Sequence, residues 1–244
     1  RESLHLIPVT MDQEDVAHIF RRDTLISAPV VDDNNRLLGV ITIDDIVDVV
    51  DEEAEEDIFR LAGMGDSDIN RGVWRTTRSR FMWLFLNLLT AILASVAIGL
   101  FEATLQEVVA LAVLMPIVAS MGGNAGTQTL TVAVRALATK ELSTANAMRI
   151  TLKEVMVGLI NGLAFAVITG FVAYLWFHDP MIGGVIAVAM VVNLIIAGLA
   201  GMLIPLTLNR FNVDPALASG VFLTTLTDII GFGVFLSLAT FFLF

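Results

Sequence analysis

Asp228 lies in the run Thr224-Thr225-Leu226-Thr227-Asp228-Ile229-Ile230-Gly231, inside an apolar segment, 215 to 243, that holds no Lys, Arg or His. A carboxylate at membrane depth costs at least about 2.5 to 3.5 kcal/mol, so it belongs on an ion path, in a proton relay or in a pair. The plainer alternative is a protonated Asp hydrogen-bonded inside a helix bundle. With Asp214 in the headgroup zone, fourteen residues at about 1.5 Å each put Asp228 roughly 21 Å along the helix, near mid-membrane. Thr224, Thr225 and Gly231 lie three or four residues away and make its surroundings polar and small.

A second group follows Pro116: Met121-Gly122-Gly123-Asn124-Ala125-Gly126-Thr127-Gln128. Glycines so closely spaced weaken a helix and permit close helix contact or exposed carbonyls, which a membrane tolerates only where they are buried or line water. Asn124, Gln128, Thr131 and Arg135 recur at i, i+4, i+7 and i+11, one polar stripe. Small residues packing helices, with amides as glue, would account for the glycines alone. The continuous stripe favours a pore lining.

A third group is acidic. Between Asp44 and Asp57 nine of fourteen positions are Asp or Glu and none is basic. A solvated helix face is the ordinary reading of such a run. Directly before a membrane segment, however, crowded carboxylates repel one another and would be relieved by cations, which makes divalent-ion sensing a physical option. His5, His18 and His178 stand alone and read as surface or interface residues rather than ligands.

The elements that must position these groups follow from composition and period. The 244 residues are 56% hydrophobic and 16% charged, with a net charge of -11, a composition far from that of a soluble domain. Charge is divided unevenly: residues 1 to 70 hold five basic and 18 acidic residues, and residues 71 to 244 hold nine and seven. Two solvents are implied. The absence of cysteine excludes a disulfide framework, a thiolate nucleophile and a Cys-ligated metal, and the acidity argues against a nucleic-acid partner. No basic-flanked short apolar run opens the chain, so no signal peptide is expected, and Arg at position 1 suggests that the natural protein is longer.

Residues 1 to 50 read as soluble α/β, with a strand at His5 to Val9, an amphipathic helix through Met11 to Arg22, and strands at Ala28 to Val31 and Leu37 to Ile43 around a turn at 32 to 35. So small a unit buries little core by itself and should pair with something. From Asp44 the spacing of Ile46, Val50, Ala54, Ile58 and Leu61 is helical, and Gly63 and Gly65 should end that helix. A basic stretch with Arg71, Trp74, Arg75, Arg78, Arg80 and Trp83 then resembles an interfacial helix entering a bilayer. Five apolar segments follow, at about 81 to 101, 108 to 134, 154 to 177, 181 to 208 and 215 to 243, each near the roughly 20 residues a span needs. Lys and Arg fall in alternate connections. The positive-inside rule therefore places the N-terminal part in the cytoplasm and the C-terminus outside.

Enzyme readings find no support: there is no HExxH, no second membrane Asp for an aspartyl protease and no Walker-type loop. The membrane part reads as a passive conduit.

These motifs together carry a resemblance. Pro116 with Gly122-Gly123-Asn124-Ala125-Gly126-Thr127-Gln128, and Asp214-Pro215-Ala216-Leu217-Ala218-Ser219-Gly220 with Thr224, Thr225 and Asp228, resemble the second- and fifth-helix signatures of MgtE-type magnesium channels. Ala28-Pro29-Val30-Val31-Asp32 and Gly39-Val40-Ile41-Thr42-Ile43-Asp44-Asp45 resemble the second of a tandem pair of CBS domains. The resemblance covers nearly the whole chain. It implies a mainly α fold: a small cytoplasmic α/β CBS domain (1–50), an acidic linker helix with its basic interfacial segment (51–78), and a five-helix polytopic membrane domain (79–244).

It further implies a homodimer in the cell membrane with a Mg²⁺ pore on its two-fold axis and Asp228 of each copy as the pore carboxylate. Mg²⁺ dehydrates reluctantly, so the pair would hold it through its water shell. Gly122, Gly123, Asn124, Gln128, Thr131, Thr224 and Thr225 would line the pore. Asp45, Asp48, Glu53, Glu56 and Asp57, with Asp214 at the mouth, would bind regulatory Mg²⁺ and close it. Thr42 and Asp45 fit the pattern that contacts ATP or another adenine nucleotide in CBS pairs. Val221 stands where many relatives carry Pro, which implies a straighter fifth helix. Two other readings stay open: a secondary transporter in which Asp228 exchanges a proton for a cation, and a non-conducting CBS-based sensor anchored in the membrane.

Overall fold

In the computed structural model the residues described are 5–62, 64, 72–143, 145–216 and 219–243, with the side chain of Ser219 set aside. They form two compact units, Arg1–Phe59 and Arg60–Phe244. The expected helix-ending glycines 63 and 65, and Arg71, lie outside the described residues.

The first unit contains β1 (Ile7–Pro8), α1 (Gln13–Asp23), β2 (Ser27–Val31), β3 (Leu37–Thr42) and most of α2 (Ile43–Leu61). β1 pairs parallel with β2 across the α1 crossover, and β2 pairs antiparallel with β3, giving the order β1-β2-β3. The hairpin turn forms because the Asp32 carboxylate accepts from the Asn34 and Arg36 amides at 2.9 and 2.8 Å, while Asn35 takes the left-handed conformation at φ 58°. Asp12 caps α1 by accepting from the Glu14 amide at 3.0 Å, and the helix carries acids in its first turn and Arg21 and Arg22 in its last, matching the helix dipole. The core is small: Ile7, Val16, Phe20, Ala28 and Ile46. Because Ile46 belongs to that core, the acidic helix α2 is rooted in the α/β unit from its first turn.

The second unit holds α3 (Val73–Gly99), α4 (Glu102–Glu107), α5 (Val109–Ala138), α6 (Ala147–Phe177), α7 (Pro180–Arg210) and α8 (Ser219–Leu243). Five of these, all but α4, are long and apolar enough to cross a membrane. The basic, Trp-containing stretch from Val73 is continuous with the first span as one helix, and α6 starts at Ala147, seven residues before the expected apolar edge. Arg149 and Lys153 ride in its first turns, where long cationic side chains can reach the interface.

α7 is the most buried helix and packs against α5, α6 and α8, while α3 lies at the edge, chiefly against α8. The α6–α7 seam is closed by glycines. A Cβ at Gly158 would stand 2.5 Å from the Leu194 carbonyl oxygen, and Gly170 and Gly183 face each other so closely that neither has room for a side chain. Close approach of this kind is how apolar helices gain dispersion contact in lipid, where helices have no hydrophobic drive to associate. One end of the unit is filled by Leu111, Leu114, Val118, Ile186, Phe235 and Leu236. Toward the other end, Leu130, Val134, Ala200, Ala216 and Leu223 pack together.

Candidate functional site

Asp228 is nine residues into α8, about 13 Å from the start of the helix. The count from Asp214 gave a greater depth because α8 starts only at Ser219. The residue is half-buried, and among the described residues it has no hydrogen-bond or ion-pair partner. One turn earlier, Thr225 Oγ1 donates to the Val221 carbonyl at 2.6 Å and Thr224 Oγ1 to the Gly220 carbonyl at 3.0 Å. With their protons turned back onto the helix, both hydroxyls offer only lone pairs outward. They suit a ligand that donates, such as a metal-bound water.

α5 stays helical through Pro116 and the glycines. The glycine region serves close packing rather than a break: Gly122 and Gly126 are buried, and a Cβ at Gly126 would stand 2.9 Å from Leu223 Cδ1. Gly123 faces Thr224, 3.9 Å from its Cγ2 to the place a Cβ would occupy, which brings the glycine segment alongside the Asp228 helix. Asn124, Thr127, Gln128, Thr131 and Arg135 are all exposed on one face of α5. Thr127 and Thr131 donate to carbonyls one turn back, each at 2.8 Å.

A cavity of about 210 Å³ opens between α5, α8 and α3, lined by Thr127, Thr131, Thr224, Val221, Asn87 and Arg60 among others. Asn87 of α3 was not singled out from the sequence, where it is one Asn in an apolar run. Arg60, in the last turn of α2 and part of the second unit, pairs with Asp214 in the link between α7 and α8. Asp214 also accepts from the Ala216 amide at 2.8 Å. Glu154 of α6 was overlooked as well: it accepts from Thr129 Oγ1 of α5 at 3.2 Å, a second carboxylate within a membrane-capable helix.

In the first unit Thr42 and Asp45 come together as a helix cap. Asp45 accepts from the Thr42 amide at 2.8 Å and from its hydroxyl at 2.6 Å, and these bonds hold the Asp45 carboxyl below its ordinary range. Glu53 accepts from Gln13 at 2.5 Å and faces Glu14. The Glu14 carboxyl is pushed up to about 7, first by burial of the group against α2, then by a hydrogen bond and repulsion from Glu53, and by Asp12 and Asp57. Glu14 was not foreseen as part of the acidic group. Asp48 is exposed, and Glu56 and Asp57 are partly covered. Among the described residues of the single chain, no three carboxylates or histidines converge closely enough to hold a metal ion.

Residues 115–238 match the family described as MgtE, divalent cation transporter, and residues 1–52 match the CBS domain. The chain is 37% identical over 233 residues to a protein of Bacillus subtilis named magnesium transporter MgtE, covering 95% of this chain and 52% of that one. A protein of the same name from Enterococcus faecalis is 37% identical over 95% of this chain and 51% of its own length. Another, from Thermus thermophilus, is 37% identical over 93% and 51%. The chain thus spans about half the length of the curated relatives it matches.

Proposed function

Because this chain belongs to the MgtE family of divalent cation transporters, we propose that it forms the conducting part of a Mg²⁺-selective channel with an adjoining CBS regulatory segment. Two copies pair so that their α5 and α8 faces enclose a pore on the two-fold axis, each giving one Asp228. The names of the relatives support Mg²⁺ as cargo.

The observation that carries the reading is the exposed polar face of α5, Asn124, Gln128 and Thr131, alongside the helix that holds Asp228. Amides and a carboxylate at membrane depth must meet water or protein rather than lipid, and a wet path between two copies supplies both. Two facing carboxylates, with Thr224 and Thr225 accepting from the ion's waters, make a site for a divalent cation that keeps its hydration shell. Selection then rests on cavity size. Entry into a negative cell yields about 2.3 kcal/mol per charge per 100 mV, doubled for a divalent ion, so no coupled energy source is needed.

Arg135, Arg149, Lys153 and Arg210 all fall near one end of the second unit, at the ends of α5 and α7 and the start of α6. The positive-inside rule assigns that end to the cytoplasm, with the C-terminus outside, in the cell membrane. Asp45, Asp48, Glu53, Glu56 and Asp57 on α2 sense cytoplasmic Mg²⁺, Asp214 guards the mouth, and Thr42 with Asp45 offers contacts to an adenine nucleotide.

The test is Mg²⁺ entry into proteoliposomes at fixed potential, with and without a pH gradient, for the chain and for Asp228→Ala. Entry driven by potential alone and abolished in the variant is expected. Wild-type flux from Asp228→Ala would remove the pore assignment, and flux that demands a proton gradient would make the protein an exchanger.

A further inference from the structure

The junction of α5, α7 and α8 holds a buried amide that the proposed ion path does not use. Asn193, in the middle of α7, is 0% exposed. Its Nδ2 donates to the Val118 carbonyl of α5 at 2.7 Å, while its Oδ1, equally buried, meets no donor among the described residues. A glycine stands on either side. A Cβ at Gly122 of α5 would lie 2.4 Å from Nδ2 and 2.9 Å from both Cγ and Oδ1, and one at Gly231 of α8 would lie 3.0 to 3.1 Å from the same three atoms. Close approach to all three coplanar atoms, evenly from Gly231 and with Nδ2 nearest from Gly122, means that both glycines face the flat of the amide. Asn193 is therefore a wedge one amide thick between the two helices that carry the site. An apolar side chain with as many atoms would carry no unpaired acceptor but would be thicker than the flat amide, so filling volume alone gives no account of it.

The wedge lies close to the chemistry on both sides. Gly231 is three residues, nearly one turn, after Asp228, and Gly122 is two residues before Asn124. We propose that Asn193 is a positioning residue that fixes how far Asp228 stands from the polar face of α5, and that the thickness of this amide sets which hydrated divalent cation is accepted. The proposal rests on the pore reading above. Mg²⁺ keeps its waters in strict octahedral geometry, whereas Ca²⁺ sheds them readily into flexible shells. A narrower gap penalises the ion that stays hydrated.

The chain contains no cysteine, so the spacing can be read by cross-linking as well as by flux. In proteoliposomes, Gly231→Ala drives a methyl group against the amide and is expected to lower Mg²⁺ entry at least about fivefold, the lower end of what overpacking one contact brings about. Adding Asn193→Ala restores it. Asn193→Ala alone draws α8 inward and shifts the Ca²⁺-to-Mg²⁺ entry ratio toward Ca²⁺ by a similar factor of about five. Asn193→Leu, whose tetrahedral branch is thicker than the flat amide, serves if Asn193→Ala fails to fold, and it should not shift the ratio toward Ca²⁺. In parallel, disulfide formation between Gly123→Cys and Thr224→Cys should slow in the Gly231→Ala background and recover with Asn193→Ala.

An unchanged ion ratio in Asn193→Ala, or a shift toward Ca²⁺ in Asn193→Leu as large as that expected of Asn193→Ala, overturns the specificity role. Cross-linking rates indifferent to both Gly231→Ala and Asn193→Ala overturn the spacer itself. Should Asp228→Ala keep conducting, the path is misplaced and the pore reading fails. The cross-linking rates then decide for or against the wedge independently.

Discussion

Arg60 and Asp214, 154 positions apart in sequence, form an ion pair that ties the end of α2 to the link between α7 and α8. Both side chains are about one third exposed, 32% and 29%, so water and salt screen the pair and its direct contribution is modest. Its consequence is electrostatic. The one acidic side chain of the α7–α8 link is paired with an arginine, so a cation that binds there must compete with Arg60 for it.

A double-mutant cycle of Arg60→Gln and Asp214→Asn should therefore give a coupling of about 0.5 kcal/mol in thermal stability, at the level of exposed pairs. The coupling should vanish in high salt. A value that persists at high salt would mean that the pair is buried in the assembled protein. Millimolar Mg²⁺ should lower the coupling in the same way if the cation competes with Arg60 for the carboxylate.

Glu14 makes stability depend on pH in a stated direction. Its carboxyl is raised from 4.5 to about 7 in the folded chain, so the folded state holds the proton more tightly than the unfolded one. The contribution is full below pH 4.5, is lost as pH rises to about 7, and is constant above that. Although the carboxyl is crowded by its acidic neighbours, the residue as a whole is exposed, which keeps the effect small. Glu14→Gln should flatten the slope of melting temperature against pH in this window and raise the melting temperature above pH 7. An unaltered slope would show that Glu14 titrates normally.

The α6–α7 seam should be intolerant of the smallest addition. Gly158→Ala places a methyl carbon 2.5 Å from a backbone oxygen of Leu194, and backbone cannot swing aside as a side chain can. We expect a loss of about 1 to 3 kcal/mol, read as a lower unfolding midpoint in detergent. Gly184→Ala, where a Cβ meets nothing within 4 Å, is the matched control and should be close to neutral.

The parts of the fold written in long-range composition were legible in the sequence. The five membrane-capable helices follow from uninterrupted apolar length, and Asp228 is conspicuous because a carboxylate in such a run is costly. Helix ends were less legible, since Arg149 and Lys153 look like a loop yet extend α6 by two turns. α4 is a six-residue helix, too short to leave a periodic signal. The glycines of α5 left open close helix contact or exposed carbonyls; what Gly122 and Gly126 receive is a side chain from another helix, and no period in the sequence encodes a partner. Asn193 has the same difficulty: a single amide in an apolar helix is visible, while the two glycines that clasp it lie 71 positions before it and 38 after. Glu14 was missed because Glu53, the acid that acts on it most, comes from a different helix.

Only His178 and Asp179 separate α6 from α7, and Asp179 accepts from the Met181 amide at 2.8 Å to start the second helix at once. With so short a hinge and a seam made from neighbours in sequence, the two helices can enter the bilayer as a ready-made hairpin, since local contacts form soonest. α8 is synthesised after α5 and α7 and finds both already in place. Asp228 thus follows the polar face of α5 in synthesis, an order that can spare a costly carboxylate exposure to lipid.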